Sequence, residues 1–197
     1  NTTGSFNTAT GSSSMYENTT GSNNTAIGVS SLTDNKTGDS NTAVGGWSLQ
    51  SNKTGSNNTA TGHYSLSSNT HGFSNTATGN RSLGNNTTGH TNSAFGFNSL
   101  TNNTTGYENV AIGNEAMEDN TTGFNNTALG SDSLQRNTTG YQNVAIGQNA
   151  LNANTTGYEN TAVGETALNQ NKRVHKNVAM SANSIESNTT RSRNIDV

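Results

Sequence analysis

Large apolar residues in this chain are sparse, and they recur at fixed positions instead of forming continuous runs. One large apolar side chain returns every 17 residues, from Met15 and Leu32 to Ile185. Six residues ahead of it an alanine returns at the same interval, from Ala9 to Ala179. The chain therefore divides into eleven 17-residue units and a ten-residue remainder, without insertion or deletion. A fixed short period of this kind is typical of stacked-repeat proteins.

We number each unit from its first asparagine, so that Asn1, Asn18 and every seventeenth residue up to Asn188 hold position 1. Asparagine also holds position 7, and glycine holds positions 4 and 11 in the first ten units. Positions 6 to 10 end in β-branched residues with glycine close by on both sides, which predicts a strand. A second, shorter strand is predicted at positions 14 to 16, and no helical period is present. The sequence thus predicts an all-β parallel β-solenoid, with one unit of two strands and two turns per coil and about 11.6 coils.

Alternation along the first strand assigns its side chains to two faces. Position 9 is alanine in eleven of twelve units, which indicates limited space and places it inside the coil, facing the leucine column. The asparagine columns are expected to form amide ladders between coils about 4.8 Å apart, and the glycines supply turns that need positive φ. Representative structural residues are Asn103, Asn109, Ala111, Gly113 and Leu134.

Positions 8 and 10 then point outward, although they are largely apolar in the second half of the chain. An interior of one alanine and one leucine per coil is a small core for a single chain. Burying the outward positions against copies of the same chain supplies the missing apolar area, so we expect a homotrimer. The predicted interface residues are Val110, Ile112, Val144, Ile146 and Val178.

These residues also carry a resemblance to known repeats. The pattern N-[TV]-A-[IVLT]-G-x-x-[SA]-L, as in NVAIGNEAM (109–117) and NTAVGETAL (160–168), resembles the YadA-like heads of trimeric autotransporter adhesins. The longer NTTGxxNTAxG form is similar to repeats of phage tail fibres and bacterial surface fibres. The resemblance covers Asn1 to about Leu168, and it implies a left-handed β-roll that trimerises and projects from a cell or virion. The unit here is longer than that of the adhesin heads by an NTTG loop, so autotransporter and tail fibre both stay open.

Composition and charge narrow the classes of function. Only 26% of the residues are hydrophobic and 11% are charged, a composition that without the repeat would predict a disordered chain. The net charge of −3 gives no basis for binding nucleic acid, and no apolar run is long enough to span a membrane. Five of the nine basic residues lie in the last 26 positions: Lys172, Arg173, Lys176, Arg191 and Arg193. We therefore expect a regular solenoid over 1–170 and degenerate, basic terminal repeats over 171–197 that lead into a further segment.

Two groups of aromatic residues are candidate contacts for a receptor or a glycan. Position 5 holds a ring in seven successive units: Phe73, His90, Tyr107, Phe124, Tyr141, Tyr158 and His175. These rings either stack on each other as a structural ladder or offer a surface to sugar rings, and the sequence leaves both open. Trp47 and Tyr64 lie at position 13, on a variable turn of the kind where binding residues concentrate.

The sequence gives no support for catalysis. The four histidines share no metal-ligand spacing, and no Ser-His-Asp or paired-carboxylate arrangement is apparent. We therefore expect no enzyme activity, no metal and no cofactor.

The function predicted from these patterns is that of a rigid fibre segment, on the order of 55 Å long, for adhesion or receptor binding. Its location would be extracellular, on a cell surface or in a virion tail fibre, and its partners would be its own copies and a cell-surface glycan or protein receptor. An alternative function is that of an ice-binding solenoid, because Thr-x-Thr rows such as Thr8/Thr10, Thr59/Thr61 and Thr76/Thr78 resemble ice-binding faces. A purely structural shaft and a self-assembling filament are further alternatives.

Overall fold

The computed structural model describes residues 1–185, 188 and 191–196 of the chain. These residues contain no helix and form one twelve-stranded sheet, in which the strands follow each other in sequence order and pair in parallel. The strands are β1 Thr8–Thr10, β2 Thr25–Ile27, β3 Thr42–Val44, β4 Thr59–Thr61, β5 Thr76–Thr78, β6 Ser93–Phe95, β7 Val110–Ile112, β8 Thr127–Leu129, β9 Val144–Ile146, β10 Thr161–Val163, β11 Val178–Ala179 and β12 Ile195–Asp196. The predicted all-β parallel solenoid is confirmed.

Strand register shows that one unit makes one coil. In the β7–β8 pair, for example, Val110 lies beside Thr127, Ala111 beside Ala128, and Ile112 beside Leu129. Every partner lies 17 residues further along the chain, and the same register holds from β1 to β12. Each column of the sequence is therefore a line of side chains along the solenoid.

The prediction of two strands per unit is wrong. In the part of the chain that the structure describes, only positions 8 to 10 form a strand, and positions 12 to 17 form turns. Position 6 has a left-handed backbone, as at Asn125 with φ 55, so the first strand begins two residues later than predicted. Positions 13 and 15 are also left-handed, with φ 58 at Asp132 and φ 50 at Leu134, so an extended strand cannot run through them.

Hydrogen bonds between coils hold these unusual turns. The backbone N–H of Leu134 donates to the carbonyl of Ala150 in the next coil at 2.9 Å, and that of Asp132 donates to Asn114 in the previous coil at 3.0 Å. Because the polar backbone groups find partners above and below, the turn stays regular even though leucine seldom adopts a left-handed conformation. The stack of coils imposes this geometry on the residue.

The core is a narrow double column. From β2 to β11 the alanines of position 9 have no exposed surface, and neither do the leucines from Leu32 to Leu168 or Met117. The small residues of position 14 complete the interior, and several of these serines donate to a nearby carbonyl, as Ser133 Oγ does to Gly130 at 2.8 Å. The placement of alanine and leucine inside the coil is confirmed.

The two asparagine columns line the rest of the interior as hydrogen-bonded ladders. Asn103 Nδ2 donates to Asn86 Oδ1 at 2.8 Å and to the carbonyl of Gly106 at 3.0 Å. In the second column Asn109 Nδ2 donates to Asn92 Oδ1 at 3.1 Å and to the carbonyl of Gly123 at 2.9 Å. Both amides are fully buried, and each donates to the asparagine of the preceding coil and to the carbonyl of a turn glycine.

In the first ten units glycine holds positions 4 and 11, and neighbouring coils approach closely there. Gly113 has φ 141, and a Cβ added to it would lie 2.6 Å from the carbonyl carbon of Gly130. A Cβ on Gly106 would overlap the carbonyl oxygen of Gly123 and the amide of Asn103. Both columns thus serve close contact between coils, and position 11 in addition needs a backbone conformation that favours glycine.

The glycine column at position 4 ends at Gly157, and the first asparagine ladder weakens at the same point. Val174 follows in the column, and the amide of Asn171 donates to Asn154 Oδ1 at 3.4 Å, against 2.8 Å one coil earlier. Asn171 Oδ1 is buried and has no partner among the described residues. The second ladder continues to Asn194, so the register of the stack holds. The division of the chain at residue 170 stays a prediction.

Candidate binding surfaces

The ring column of position 5 is a continuous stack. Its six successive pairs have centroids 4.5 to 5.1 Å apart and planes within 16° of parallel, from Phe73 to His175. Each inner ring therefore has a neighbouring ring against both faces, and its edge is turned outward. A sugar ring can lie flat only at an end of the stack, and Phe73, at the first end, is 47% exposed.

The two aromatic residues predicted on the variable turn come together with a histidine. Trp47 and Tyr64 stack with centroids 5.2 Å apart and planes 13° from parallel. His63 meets both rings edge-on, at 5.3 Å from Trp47 and 4.4 Å from Tyr64. Because Trp47 lies in the preceding coil, it covers one face of Tyr64, and the other face is turned toward the following coil, where Arg81 holds the same position 13.

A groove of about 420 Å³ lies on this side of the solenoid, and both Tyr64 and Arg81 line it. We call it the Gly84 groove, because Gly84 is the one glycine at position 16, where other units carry a side chain. The lining residues come from four consecutive coils: Tyr64, Ser67, Arg81, Gly84, Asn85, Asn98, Thr101, Asn102 and Glu118. Sequence reasoning missed this groove except for Tyr64, although the break in the column at Gly84 was a readable signal.

Charges near the groove are few and of both signs. Burial raises the pKa of the Glu118 carboxyl, and the nearby Glu115 carboxylate raises it further, while a hydrogen bond from Gln135 opposes the shift. Among the described residues Arg81 forms no ion pair. Burial also raises the pKa of Asp34, with Glu17 as the next contributor, in a coil away from the groove.

The outward face of the strands carries an apolar stripe. At position 10, the exposed fraction is 40% for Phe95, 39% for Ile112, 44% for Leu129 and 36% for Ile146. The other predicted interface residues, Val110, Val144 and Val178, lie at position 8 of their strands and are half-buried. Phe95 and Leu129 belong to the same stripe and were not among the residues predicted for the interface.

Within the described ranges, no group of three histidine, cysteine, aspartate or glutamate side chains is placed to hold a metal ion. The same residues include no helix of the length and apolar character that a membrane span requires.

Fold and surfaces together define the class of this protein as a parallel β-solenoid with a 17-residue coil, an asparagine-lined interior and an apolar outer stripe. Comparison of the chain with protein-family models, with curated proteins and with solved structures gave no match. The resemblance to YadA-like heads and tail-fibre repeats, and with it the left-handed winding, therefore stays a prediction.

Proposed function

We propose that the chain is a segment of an extracellular homotrimeric fibre that binds cell-surface receptors or glycans without catalysis. The observation that carries the proposal is the apolar stripe of positions 8 and 10, which lies on one side of the rod in a chain with only 26% hydrophobic residues. Large apolar residues that return at the same outward position in successive coils indicate a surface that is covered in the assembly. A monomer would leave the stripe in water.

Parallel copies suit this stripe because the coils of each copy then stand at equal height. Ile112, Leu129 and Ile146 of one copy would meet the same residues of the others, which is what closed cyclic symmetry requires. The trimer, rather than another closed ring, follows from the resemblance to trimeric heads. Repetition along the rod and around its axis multiplies weak contacts with a surface, so individual sites of low affinity suffice for adhesion.

Replacing part of the stripe tests the assembly. In the variant Ile112→Thr/Leu129→Thr/Ile146→Thr the new residue is the one that the chain itself uses at Thr10, Thr61 and Thr78. Light scattering after size exclusion should give three times the chain mass of 20.4 kDa for the unmodified protein and one chain mass for the variant. The control Thr105→Ser/Thr122→Ser/Thr139→Ser changes three exposed residues of position 3 and should remain trimeric. A monomeric unmodified protein would refute the assembly.

Adhesion is tested with the same pair of proteins. The fluorescently labelled trimer should bind members of an array of immobilised glycans and extracellular matrix proteins, and the triple variant should bind them at least tenfold more weakly because its sites no longer act together. Absence of binding by the trimer would favour the shaft alternative, in which this segment only spaces other parts of a fibre.

One observation supports the alternative function of an ice-binding solenoid. From Thr88 to Thr156 the threonines of position 3 form an exposed row with one hydroxyl per coil. The threonines of position 8 from β2 onward are half-buried. Position 10 is apolar in the second half of the chain, so the rows predicted from sequence are incomplete. Thermal hysteresis of the purified protein would promote this function over adhesion.

A further inference from the structure

The Gly84 groove exists because one unit lacks a side chain where its neighbours have one. Ser67 and Thr101 hold the same position 16 in the adjacent coils, and Gly84 between them is buried. Ser67 Oγ donates to the carbonyl of Gly84 at 3.1 Å, so backbone forms the bottom of the groove at this point. A volume of about 420 Å³ lies within the range of small-molecule sites, roughly 300 to 1,000 Å³.

One wall of the groove is a ring held in a fixed orientation. Tyr64 is stacked on Trp47 and braced by the edge of His63, so its position does not depend on a ligand. Rigid aromatic residues give contact area at low cost in conformational entropy. The C–H face of a pyranose is a flat apolar surface, and it can lie against the part of the Tyr64 ring that lines the groove.

The remaining lining is dominated by amides. Asn85 Nδ2 donates to Asn102 Oδ1 at 3.0 Å, and Asn102 Nδ2 donates to Asp119 Oδ1 at 3.2 Å, which holds these two amides in place along the groove. Asn98 also lines the groove; its Oδ1 is buried and has no hydrogen-bond partner among the described residues, so we take its Nδ2 as the contact for a ligand. Fixed amides both donate and accept, which suits neighbouring hydroxyl groups of a sugar.

The charges in the lining favour a neutral ligand. Arg81 contributes one positive charge and Glu118 one negative charge, and no further ionisable side chain of either sign lines the groove apart from the Tyr64 phenol. An acidic sugar would gain from Arg81 and lose at Glu118, whereas neutral hydroxyls can bond to both. Only one aromatic side chain and no aliphatic one lines the groove, so an apolar peptide side chain finds little to pack against.

We propose that the Gly84 groove is a lectin-type site that binds one or two residues of a neutral glycan. Tyr64 stacks on the sugar ring, Asn85, Asn98 and Asn102 bond its hydroxyls, and Gly84 leaves the space that the ring fills. The proposal rests on the adhesive function proposed above and names both the ligand class and the place of contact.

The test uses the trimer and a panel of methyl glycosides of glucose, galactose, mannose and N-acetylglucosamine, with maltose, lactose and cellobiose as disaccharides. Saturation-transfer NMR reports binding, and the fluorescence of Trp47, the single tryptophan of the chain, reports binding at this place. At least one neutral sugar should give both signals. The variants Gly84→Thr and Tyr64→Ser should weaken its binding at least tenfold.

Both substitutions use residues that the repeat already accepts at these positions, Thr101 at position 16 and Ser30 at position 13. Asn169→Thr is the control, since it introduces the same residue at position 16 five coils away and should leave binding unchanged. Circular-dichroism melting checks that each variant is folded.

The outcomes separate this proposal from the adhesive function. Unchanged affinity in Gly84→Thr and Tyr64→Ser would overturn the groove as the site, while adhesion of the trimer to the array would still stand. If the trimer binds only the sialylated or sulfated members of the glycan array, the assignment of a neutral ligand is overturned. If no sugar of the panel gives a response, the proposal that the groove is a glycan site is also overturned. The adhesive function would then rest on binding to the matrix proteins of the array.

Discussion

At the scale of single residues, asparagine takes over part of the role that apolar side chains have in other cores. Each buried amide joins two coils and also satisfies a turn carbonyl, as Asn109 does between Asn92, Asn126 and Gly123. Unpaired polar groups in a narrow interior are costly, so the value of the ladder lies in being complete. The strict asparagine columns of the sequence follow from this requirement.

Truncating one rung tests the ladder. Asn109→Ala leaves the carbonyl of Gly123 and the backbone and side-chain N–H groups of Asn126 without their partner. We expect a loss of about 3 kcal/mol in the free energy of unfolding, measured by urea titration. The control Asn114→Ala alters an exposed amide at position 12, where glycine and alanine also occur, and should cost less than about 0.5 kcal/mol. Equal losses in the two variants would show that the ladder contributes no more than a surface residue.

The glycine columns allow a matched comparison within the chain. Gly113→Ala combines a φ of 141 with a Cβ that overlaps the next coil, and should destabilise the fold by about 3 kcal/mol or more. Gly46→Ala places its Cβ at an ordinary 3.5 Å from His63, and its backbone is not in the left-handed region. Thermal melting should therefore separate the two alanine variants clearly. A melting temperature for Gly113→Ala equal to that of Gly46→Ala would contradict the close approach of coils.

At the scale of the element, the sequence predicts the strand better than the turn. Alternation around Ala111 correctly separated buried from outward positions, because a three-residue strand still has a period of two. The Ser-Leu stretch looked like a second strand, since residue type does not reveal that Leu134 has φ 50. Hydrogen bonds to neighbouring coils determine that conformation, and they are visible only once the coils are stacked.

The acidic turn around Glu118 gives the protein a pH dependence with a defined sign. Burial and Glu115 raise the pKa of Glu118 in the folded state above its ordinary value of 4.5, so the folded state binds this proton more readily than the unfolded state. The stability that this group contributes is fully present below pH 4.5 and is lost as the pH rises through the folded-state pKa. Deprotonation of Glu118 thus works against folding near neutral pH.

Glu118→Gln removes this titration. We expect the variant to gain stability relative to the unmodified protein between pH 3.5 and pH 7, with a small effect because the side chain is partly exposed. Urea midpoints of both proteins at the two pH values give the measurement. A relative gain for the variant toward low pH would reverse the sign and contradict the assigned cause.

At the scale of the whole molecule, the unbroken 17-residue period was enough to predict the coil, its interior and the outward stripe. The Gly84 groove was not predictable in the same way, because its lining combines positions 13, 16 and 17 from four coils. The repeat pattern defines each position separately, so it does not show where residues of different positions come together in space. The assembly and the ligand depend on surfaces whose partners lie outside the chain.

The central claim is that each unit of 17 residues makes one turn of a continuous parallel stack, and paired cysteines test it most directly. The chain has no cysteine, and Thr105, Thr122 and Thr139 are exposed residues of one column in successive coils. In adjacent coils the Cα atoms of one column are about 4.8 Å apart, a separation that a disulfide can bridge. Two coils apart the separation is about twice as large, which a disulfide cannot bridge. Thr105→Cys/Thr122→Cys should therefore form an intrachain disulfide on mild oxidation, detected by peptide mass spectrometry, and Thr105→Cys/Thr139→Cys should not. Failure of the first pair, or equal bridging in both, would contradict the stack.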